Sequence, residues 1–547
     1  MGGVQMDEAA VGTVLPERGA TSARPPGAGG RHRQRPGGGP PASWLINDPW
    51  VVGTSTLGAA VAGRRQRRKG DPMGADQSLN KLVKRGLGWS FASTMLSRLG
   101  QLISGIVLAR ILAPNDYGVF AVATVALVLL ANLNDLGIEQ VLVRWPGDFA
   151  RVAPTGMTVI FGFSCALFGV FAVFAPTFAA AFRAPDATSV VRALAFGVVI
   201  NGIFAVPSAT LTRSFRQDRR TYADLAGFII TTGLTLTLAA LGYGVWALVW
   251  GRLIGNAVNS LLHMVFAPVR YRPGFDSTIA RELLKGGLPL AGATLLAVAM
   301  VNVDNVIVGR MLGPTVLGLY VLAFNLSSWP VNLLSIPVAR VSVPAFARLQ
   351  DDPQRLRRAF AGSLGLLMAA AVPICVLLAV LAAPAVRVVY GEKWAGAAPA
   401  LAFLAVLGLA RVALQLCFDL LIAAGHSKQT MFLQGLWLVV LIPALAIGAH
   451  LGGIAGVGTA HMLVAVGVMV PAFLAALRRL GFRPLELARS VWMPVVGAVG
   501  LVVAPLLAIR LLHPDLLVLA AGGIGGLALY LPVLALKRHE LRALRAS

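Results

Sequence analysis

The sequence predicts an all-α integral membrane protein with about 14 transmembrane helices, arranged as two parallel six-helix lobes plus two C-terminal helices. The chain is 57% hydrophobic and only 13% charged, whereas soluble proteins average about 45–50% and about 25%. Its mean hydropathy is +0.75. Its apolar residues also fall in runs of roughly 20 or more, the length at which a helix crosses a bilayer.

Residues 1–72 differ in composition from the rest of the chain. They are rich in glycine, proline and arginine, as in RPPGAGGRHRQRPGGGPP, and such a stretch cannot bury enough apolar surface to fold. The run WVVGTSTLGAAVAG is too short to span a bilayer, and its basic flank follows it, unlike that of a secretory signal. We expect a disordered, low-complexity extension that is dispensable, with translation starting at Met73.

Short loops of Gly, Pro, Asn and Asp separate the predicted spans. Spans one to six make an N-lobe within residues 80–267, and spans seven to twelve make a C-lobe within residues 268–477. Residues 478–547 carry the last two spans and a tail. The spans lie near residues 87–111, 117–138, 153–177, 190–211, 222–243, 246–267, 287–311, 318–342, 360–382, 397–424, 428–450, 452–477, 491–512 and 516–536.

Lysine and arginine alternate between the two sides of these spans. With the N-terminus placed inside, the inward loops and the C-terminal tail hold 24 such residues and the outward loops hold 7, counted along the sequence. Because basic residues in short loops stay cytoplasmic, this asymmetry predicts that both termini are cytoplasmic. It also explains most of the net charge of +24 without a nucleic-acid partner.

One turn occurs twice, 200 residues apart. ARILAPNDYGVF at 109–120 and GRMLGPTVLGLY at 309–320 both fit R-x-L-x-P-x-x-x-G-x-aromatic. The proline suits the first position of the following helix, and the glycine allows two helices to approach closely. Six spans, an even number, separate the copies, so the sequence predicts a parallel repeat about an axis along the membrane normal. At this offset residues 86–143 and 286–343 align without gaps, including the pairs Arg110/Arg310, Pro114/Pro314, Gly118/Gly318 and Asn132/Asn332.

Ionisable and amide side chains inside the spans mark the candidate site, because such groups are costly in hydrocarbon and by default face a cavity or a partner. We expect a water-filled cavity between the lobes. Three alternatives stay open: a buried salt bridge for Asp304, a pair of Asp419 with Arg411, and lipid headgroup contact for Arg252. The candidate substrate-binding residues are Arg98, Gln101, Arg252, Asn256, Asn302, Arg411 and Gln415, and the candidate ion-coupling residues are Asp304 and Asp419.

Enzyme and metal motifs are absent from the sequence. There is no P-loop, and GFSCA at 162–166 lies inside a span without the strand–turn–helix context of a nucleophile elbow. Neither the histidines nor the three cysteines show the spacing of a metal site. No loop is long enough to hold a soluble catalytic domain. We expect a transporter without a resident cofactor or metal.

The two turn blocks, the second of them within VDNVIVGRMLGPTVLGLY and followed by DDPQRLRR, resemble the polysaccharide-biosynthesis transporter family. This family includes Wzx-type flippases and belongs to the MOP superfamily, with MurJ-type and MATE-type transporters. The resemblance implies a V-shaped pair of lobes in the cell inner membrane. It also implies a cationic cavity that carries a polyprenyl-pyrophosphate-linked oligosaccharide for O-antigen or exopolysaccharide synthesis. Proton or sodium coupling and a polysaccharide polymerase or export machinery as partner are further expectations.

Two other functions stay open at this point. A MATE-like, cation-coupled exporter of small organic molecules would use the same fold. A membrane-embedded polymerase or glycosyltransferase is the third candidate, although the outward loops are all short.

Arg98 is the residue that we expect to hold the pyrophosphate. It stands eleven residues after Leu87, where span one begins, which places it about 16 Å into a hydrocarbon core about 30 Å thick. A guanidinium stays charged and binds phosphate oxygens through two parallel hydrogen bonds. Arg98, in the first span, resembles the cavity arginines of MurJ-type proteins.

Overall fold

The structure is a computed structural model that describes residues 100–134, 136–214, 216–269 and 271–546. These residues form helices and no strand. In chain order the α-helices are α1 Gly100–Ile111, α2 Pro114–Asn134, α3 Ile138–Arg144, α4 Phe149–Ala181, α5 Ala187–Arg213, α6 Gln217–Ala240, α7 Val245–Phe266, α8 Ser277–Leu312, α9 Pro314–Arg348, α10 Pro353–Val380, α11 Ala382–Tyr390, α12 Ala398–Ala423, α13 Ser427–Leu463, α14 Val470–Arg479, α15 Pro484–Leu511 and α16 Asp515–Ala546. A 3₁₀ helix, Glu392–Ala397, precedes α12, and a π-helix, Val464–Met469, precedes α14.

Ten helical stretches in the described part of the chain are long and apolar enough to cross a membrane. The protein is therefore a multi-pass, all-α membrane protein, as predicted. One stretch, Ser427–Arg479, is broken at Gly452 and Gly453, whose backbone angles are not helical, so it covers two predicted spans. Helices α7 and α8 coincide with predicted spans six and seven but are not among the ten. The predicted count of fourteen is not confirmed.

Several helices differ in extent from the predicted spans. Helix α8 begins ten residues before the predicted span, because the Asp276 carboxylate caps it by accepting hydrogen bonds from the backbone N–H groups of Thr278 and Ile279, at 2.8 and 3.3 Å. The hydrogen bond from Ile279, which has the larger effect, and the one from Thr278 hold the pKa of Asp276 below its ordinary value. The short helices α3 and α11 lie in stretches that the sequence analysis treated as loops.

The two repeated turns pack directly against each other. Gly118 of α2 lies on the Pro314 carbonyl at the start of α9, and Gly318 of α9 lies on the Pro114 carbonyl at the start of α2, so that a methyl group at either glycine would overlap a backbone oxygen. Beside them, the Thr315 hydroxyl donates to the Asn115 amide oxygen at 3.1 Å. We call this end of the helices the turn end.

A second contact joins the two halves at the opposite end. Gly137, in the left-handed conformation at φ 67°, lies against the backbone of Gly287 in α8. An apolar cluster surrounds this contact and contains Ile138 of α3 and Leu283 of α8, both fully buried. We call residues 100–267 the first segment and residues 268–477 the second segment. Their parallel superposition stays a prediction, but they touch at both ends.

The last two helices attach to the second segment. The Tyr530 hydroxyl of α16 donates to the Ala369 carbonyl of α10 at 3.0 Å. The Arg387 guanidinium of α11 binds the Asp515 carboxylate through two hydrogen bonds of 2.7 Å. Such a forked ion pair fixes orientation better than a single bond does.

We predict that Gly118→Ala destabilises the protein. The added methyl would meet a backbone carbonyl that cannot rotate away, so α2 and α9 must separate and lose packing. The thermal unfolding temperature in detergent should fall by about 5 °C or more. Gly162→Ala in α4 is the control, because nothing lies within 4 Å of the new methyl and alanine favours a helix. A Gly118→Ala protein as stable as wild type would contradict this packing.

Candidate functional site

Two cavities hold predicted residues, and the larger of the two lies within the first segment and has a volume of about 660 Å³. Helices α1, α2, α5, α6 and α7 line it. Three predicted residues, Gln101, Arg252 and Asn256, meet there. The sequence analysis did not single out Asn201, Asp224 or the threonines of α6 that complete its polar lining, which contains Thr231, Thr232 and Thr235.

Glycines on α7 set the direction of this polar face. Gly251 and Gly255 pack against Thr235 and Thr231 of α6, so closely that an added methyl would overlap either hydroxyl. Arg252 therefore lies on the adjacent face and lines the cavity. This packing is the small-residue contact that membrane helices use to approach each other.

The polar side chains that line the larger cavity form hydrogen bonds with one another. Asn256 donates to the Asn201 side-chain oxygen at 2.8 Å, and Asn259 donates to Asp224 at 3.0 Å. His263 Nε2 lies 3.5 Å from the same Asp224 oxygen. The cavity thus contains both signs of charge, since Arg252 and Asp224 line it together.

The smaller cavity lies between the two segments and has a volume of about 380 Å³. From the first segment it is lined by Gln101, Gly105 and Tyr117. From α9 it is lined by a polar and aromatic row that the sequence analysis missed, Asn325, Ser328, Trp329 and Asn332. Their spacing of three to four residues inside an apolar run was the signal that could have revealed them. Gln101 lines both cavities and is the predicted residue common to them.

A buried cluster holds two more predicted residues inside the second segment. Asp304 is 2% exposed and accepts a hydrogen bond from the Tyr320 hydroxyl at 2.9 Å. The Arg411 guanidinium lies 5.4 Å from the centre of the Phe324 ring, on which His461 also stacks. Among the described residues no salt bridge of 4.0 Å or less joins Asp304 to Arg411; the carboxylate instead accepts hydrogen bonds from the Tyr320 hydroxyl and from the backbone N–H of Asn305, the latter at 2.8 Å.

Arg411 reaches the smaller cavity indirectly. Its guanidinium donates to the Ser328 hydroxyl at 3.3 Å, and Ser328 lines that cavity. Arg411 and Asp419 form no ion pair in the described structure. Instead Gln415 donates to one Asp419 oxygen at 3.0 Å, while the other oxygen is buried without a hydrogen bond in the described part.

The remaining predicted residues are not gathered into one site. Asn302 donates to the Val298 carbonyl of its own helix at 2.9 Å, a bond within one turn that leaves its other groups free. Arg98 lies outside the described residues, three residues before Gln101 in the sequence. Within the described ranges no three His, Cys, Asp or Glu side chains come together as a group that could hold a metal ion.

The second segment binds the end of α1 at the turn end. The Lys393 ammonium donates to the carbonyls of Arg110 and Leu112 at 2.8 and 2.7 Å. The Trp394 indole donates to the Ala109 carbonyl at 2.7 Å. These carbonyls lie at the C-terminal end of α1, where the helix has no N–H donors of its own to offer them. The two segments are therefore joined by hydrogen bonds at this end, in addition to their packing contacts.

Arginines make the reverse connections. The Arg110 guanidinium donates to the Val389 carbonyl at 2.8 Å and to the Val388 carbonyl, both in the last turn of α11. The Arg183 guanidinium, which follows α4, donates to the Met311 carbonyl at the end of α8 at 3.3 Å. Positive charge at helix C-termini is favoured by the helix dipole, so cations fasten both segments here.

The sequence matches the family described as polysaccharide biosynthesis protein over residues 107–399, more than half of the chain. The chain belongs to this family. It is 26% identical over 430 residues to the lipopolysaccharide biosynthesis protein WzxC of Escherichia coli K12, covering 76% of this chain and 85% of that protein. It is 27% identical over 337 residues to the succinoglycan biosynthesis transport protein ExoT of Rhizobium meliloti, covering 60% and 66%.

Solved structures share the fold. Lipid II flippase MurJ in an inward closed conformation matches with a TM-score of 0.68 at 12% identity, covering 82% of this chain and 98% of that one. An inward-facing multidrug resistance MATE transporter of the MOP superfamily matches with a TM-score of 0.56 at 17% identity, covering 70% and 94%. The chain thus shares the fold of these two membrane transporters.

Proposed function

We propose that this transporter is a flippase that moves a polyprenyl-pyrophosphate-linked oligosaccharide across the cytoplasmic membrane, with both termini in the cytoplasm. The observation that carries the proposal is the smaller cavity, which lies between two segments of a MOP-type fold and is lined by amides and a tryptophan. The named roles of the relatives in lipopolysaccharide and succinoglycan biosynthesis support the saccharide class.

The physical need for such a cavity is the cost of the headgroup in hydrocarbon. Each unpaired hydroxyl or phosphate charge costs several kcal/mol or more when it leaves water. Amide and hydroxyl side chains replace those lost hydrogen bonds. The polyprenyl tail is as apolar as the bilayer and can stay in it while the headgroup crosses.

Three arginines support the pyrophosphate part of the proposal. Arg411 is held behind the cavity by Ser328, and Arg252 faces the larger cavity, with Gln101 lining both cavities. We propose that Arg98 completes this set. Asp304 and Asp419 are the carboxylates that we propose for proton or sodium coupling, because both are buried in the second segment.

A small-molecule exporter is the main rival function. The buried carboxylates Asp304 and Asp419 favour it, because a cation-coupled exporter needs acidic groups inside the membrane. The described lining of the smaller cavity nevertheless contains no carboxylate, although an organic cation would need one there.

Deletion of the gene tests the proposed function. We expect surface polysaccharide to be lost and the lipid-linked saccharide to accumulate on the inner leaflet, because assembly continues while the headgroup cannot cross. Accessibility of the saccharide to a lectin in inside-out and right-side-out vesicles measures its leaflet. The wild-type gene should restore the distribution.

Other outcomes identify the rivals. An unchanged distribution with greater sensitivity to organic cations would indicate an exporter of small molecules. Accumulation of single repeat units on the outer leaflet would indicate a polymerase. Either result would contradict the flippase.

We predict that Arg98→Ala, returned to the deletion strain, abolishes nearly all polysaccharide export, whereas Arg98→Lys retains part of it. Lysine keeps the charge but loses the paired hydrogen bonds to phosphate. Arg151→Ala is the matched control, because Arg151 is exposed near the start of α4 and should export normally. Export is measured as surface polysaccharide at equal protein level. Wild-type export by Arg98→Ala would remove Arg98 from the site.

A further inference from the structure

We propose that Trp329, with Asn325 and Asn332 beside it on α9, is the face on which the sugar rings of the transported headgroup dock. The inference rests on the proposed function and adds a site for the neutral saccharide that is separate from the arginines. Below, these three residues are called the α9 face.

The α9 face lines one cavity. Its members stand at positions i, i+4 and i+7 and therefore share one side of the helix. All three line the smaller cavity. Both asparagines are exposed to it and Trp329 is half-buried. No hydrogen bond joins any of the three side chains to another described residue, so their polar atoms are available to a ligand.

The depth of these groups argues against a purely structural role. Asn325 stands eleven residues after Pro314, where α9 begins, which places it about 17 Å along the helix, near the middle of the hydrocarbon core. Amides without partners are costly within a hydrocarbon core about 30 Å thick. Polar groups at that depth mark a substrate path by default.

The repeat supplies an internal comparison. At the offset of 200 residues, Asn325 and Trp329 correspond to Val125 and Leu129 of α2. Val125 is 3% exposed and belongs to the apolar core. The third counterpart, Asn132, donates to the Val128 carbonyl of its own helix at 2.7 Å. The matching stretch of α2 thus buries its apolar residue or satisfies its amide within its own helix, whereas α9 has polar and aromatic groups on a cavity at the same register.

The chemistry of the α9 face matches a sugar ring. A pyranose presents C–H groups on its flat face and hydroxyls at its rim. The indole ring offers a rigid apolar surface with one N–H donor, and each amide both donates and accepts.

Charge separates this face from the pyrophosphate site. The described residues that line the smaller cavity include no charged side chain. Arg411 is connected to the cavity only through its hydrogen bond to the Ser328 hydroxyl. A neutral saccharide loses little when it enters such a lining, whereas a pyrophosphate needs cations. We infer that the α9 face binds sugar and leaves the phosphates to the arginines.

Binding measurements with two separate probes test the inference. The probes are the oligosaccharide released by mild acid from lipid extracted from the deletion strain, and inorganic pyrophosphate. Titration of the purified full chain should show that Trp329→Leu weakens binding of the saccharide roughly tenfold or more, while pyrophosphate affinity changes by less than about twofold. Trp329→Phe should retain most of the saccharide affinity, since it keeps an aromatic surface.

The controls separate docking from folding. Trp492→Leu removes an exposed tryptophan of α15, outside both segments, and should bind both probes as wild type does. The double variant Asn325→Leu, Asn332→Leu should also lose saccharide affinity and keep pyrophosphate affinity. Unfolding temperatures of all variants are measured alongside, and the double asparagine variant carries the test if Trp329→Leu does not fold.

Two results would overturn the inference. One is saccharide affinity in Trp329→Leu and the double asparagine variant equal to that of wild type. The other is an equal loss for both probes, which would make the residues structural. Failure of the proposed function is different: a deletion strain with a normal distribution of lipid-linked saccharide refutes the flippase whatever Trp329 does. A wild-type chain that restores export but binds no released saccharide refutes only the α9 face.

Discussion

The contact between the two repeated turns is the constraint on which the arrangement depends. Gly118 and Gly318 each admit the other turn's proline carbonyl, and only a residue without a side chain allows backbones to come this close. This contact fixes α2 against α9. The cationic bonds from Arg110 and Lys393 to helix carbonyls join the two segments at the same end.

The polar groups inside the membrane fall into two classes, according to whether they have a partner within their own segment. Side chains that find partners within their own segment, such as Asp304 with Tyr320, satisfy themselves without substrate. Those on the cavity between the segments, such as Trp329, have no such partner in the described chain. In the proposed function the headgroup supplies the missing partners, and it can pass the turn end only if the two turns separate there.

The sequence predicted the helical membrane fold and the close approach at Gly118, because apolar run length and glycine chemistry are local properties. It predicted less of the site. Gln101, Arg252 and Asn256 do line a cavity, but that cavity lies within one segment. The assignment rested on charge within spans, and this favoured arginines over the uncharged Trp329. Which helix face meets another segment depends on packing between distant helices, which periodicity does not encode.

The most direct test of this account is to cross-link the two turns. Asn115→Cys and Thr315→Cys replace side chains that are in hydrogen-bond contact, in a chain whose native cysteines are replaced by alanine. Flipping of lipid-linked saccharide from the deletion strain is measured in proteoliposomes before and after reduction of the disulfide. The account predicts nearly no transport while the turns are joined and recovery on reduction, with both single-cysteine chains active throughout. Full transport by the cross-linked protein would contradict it.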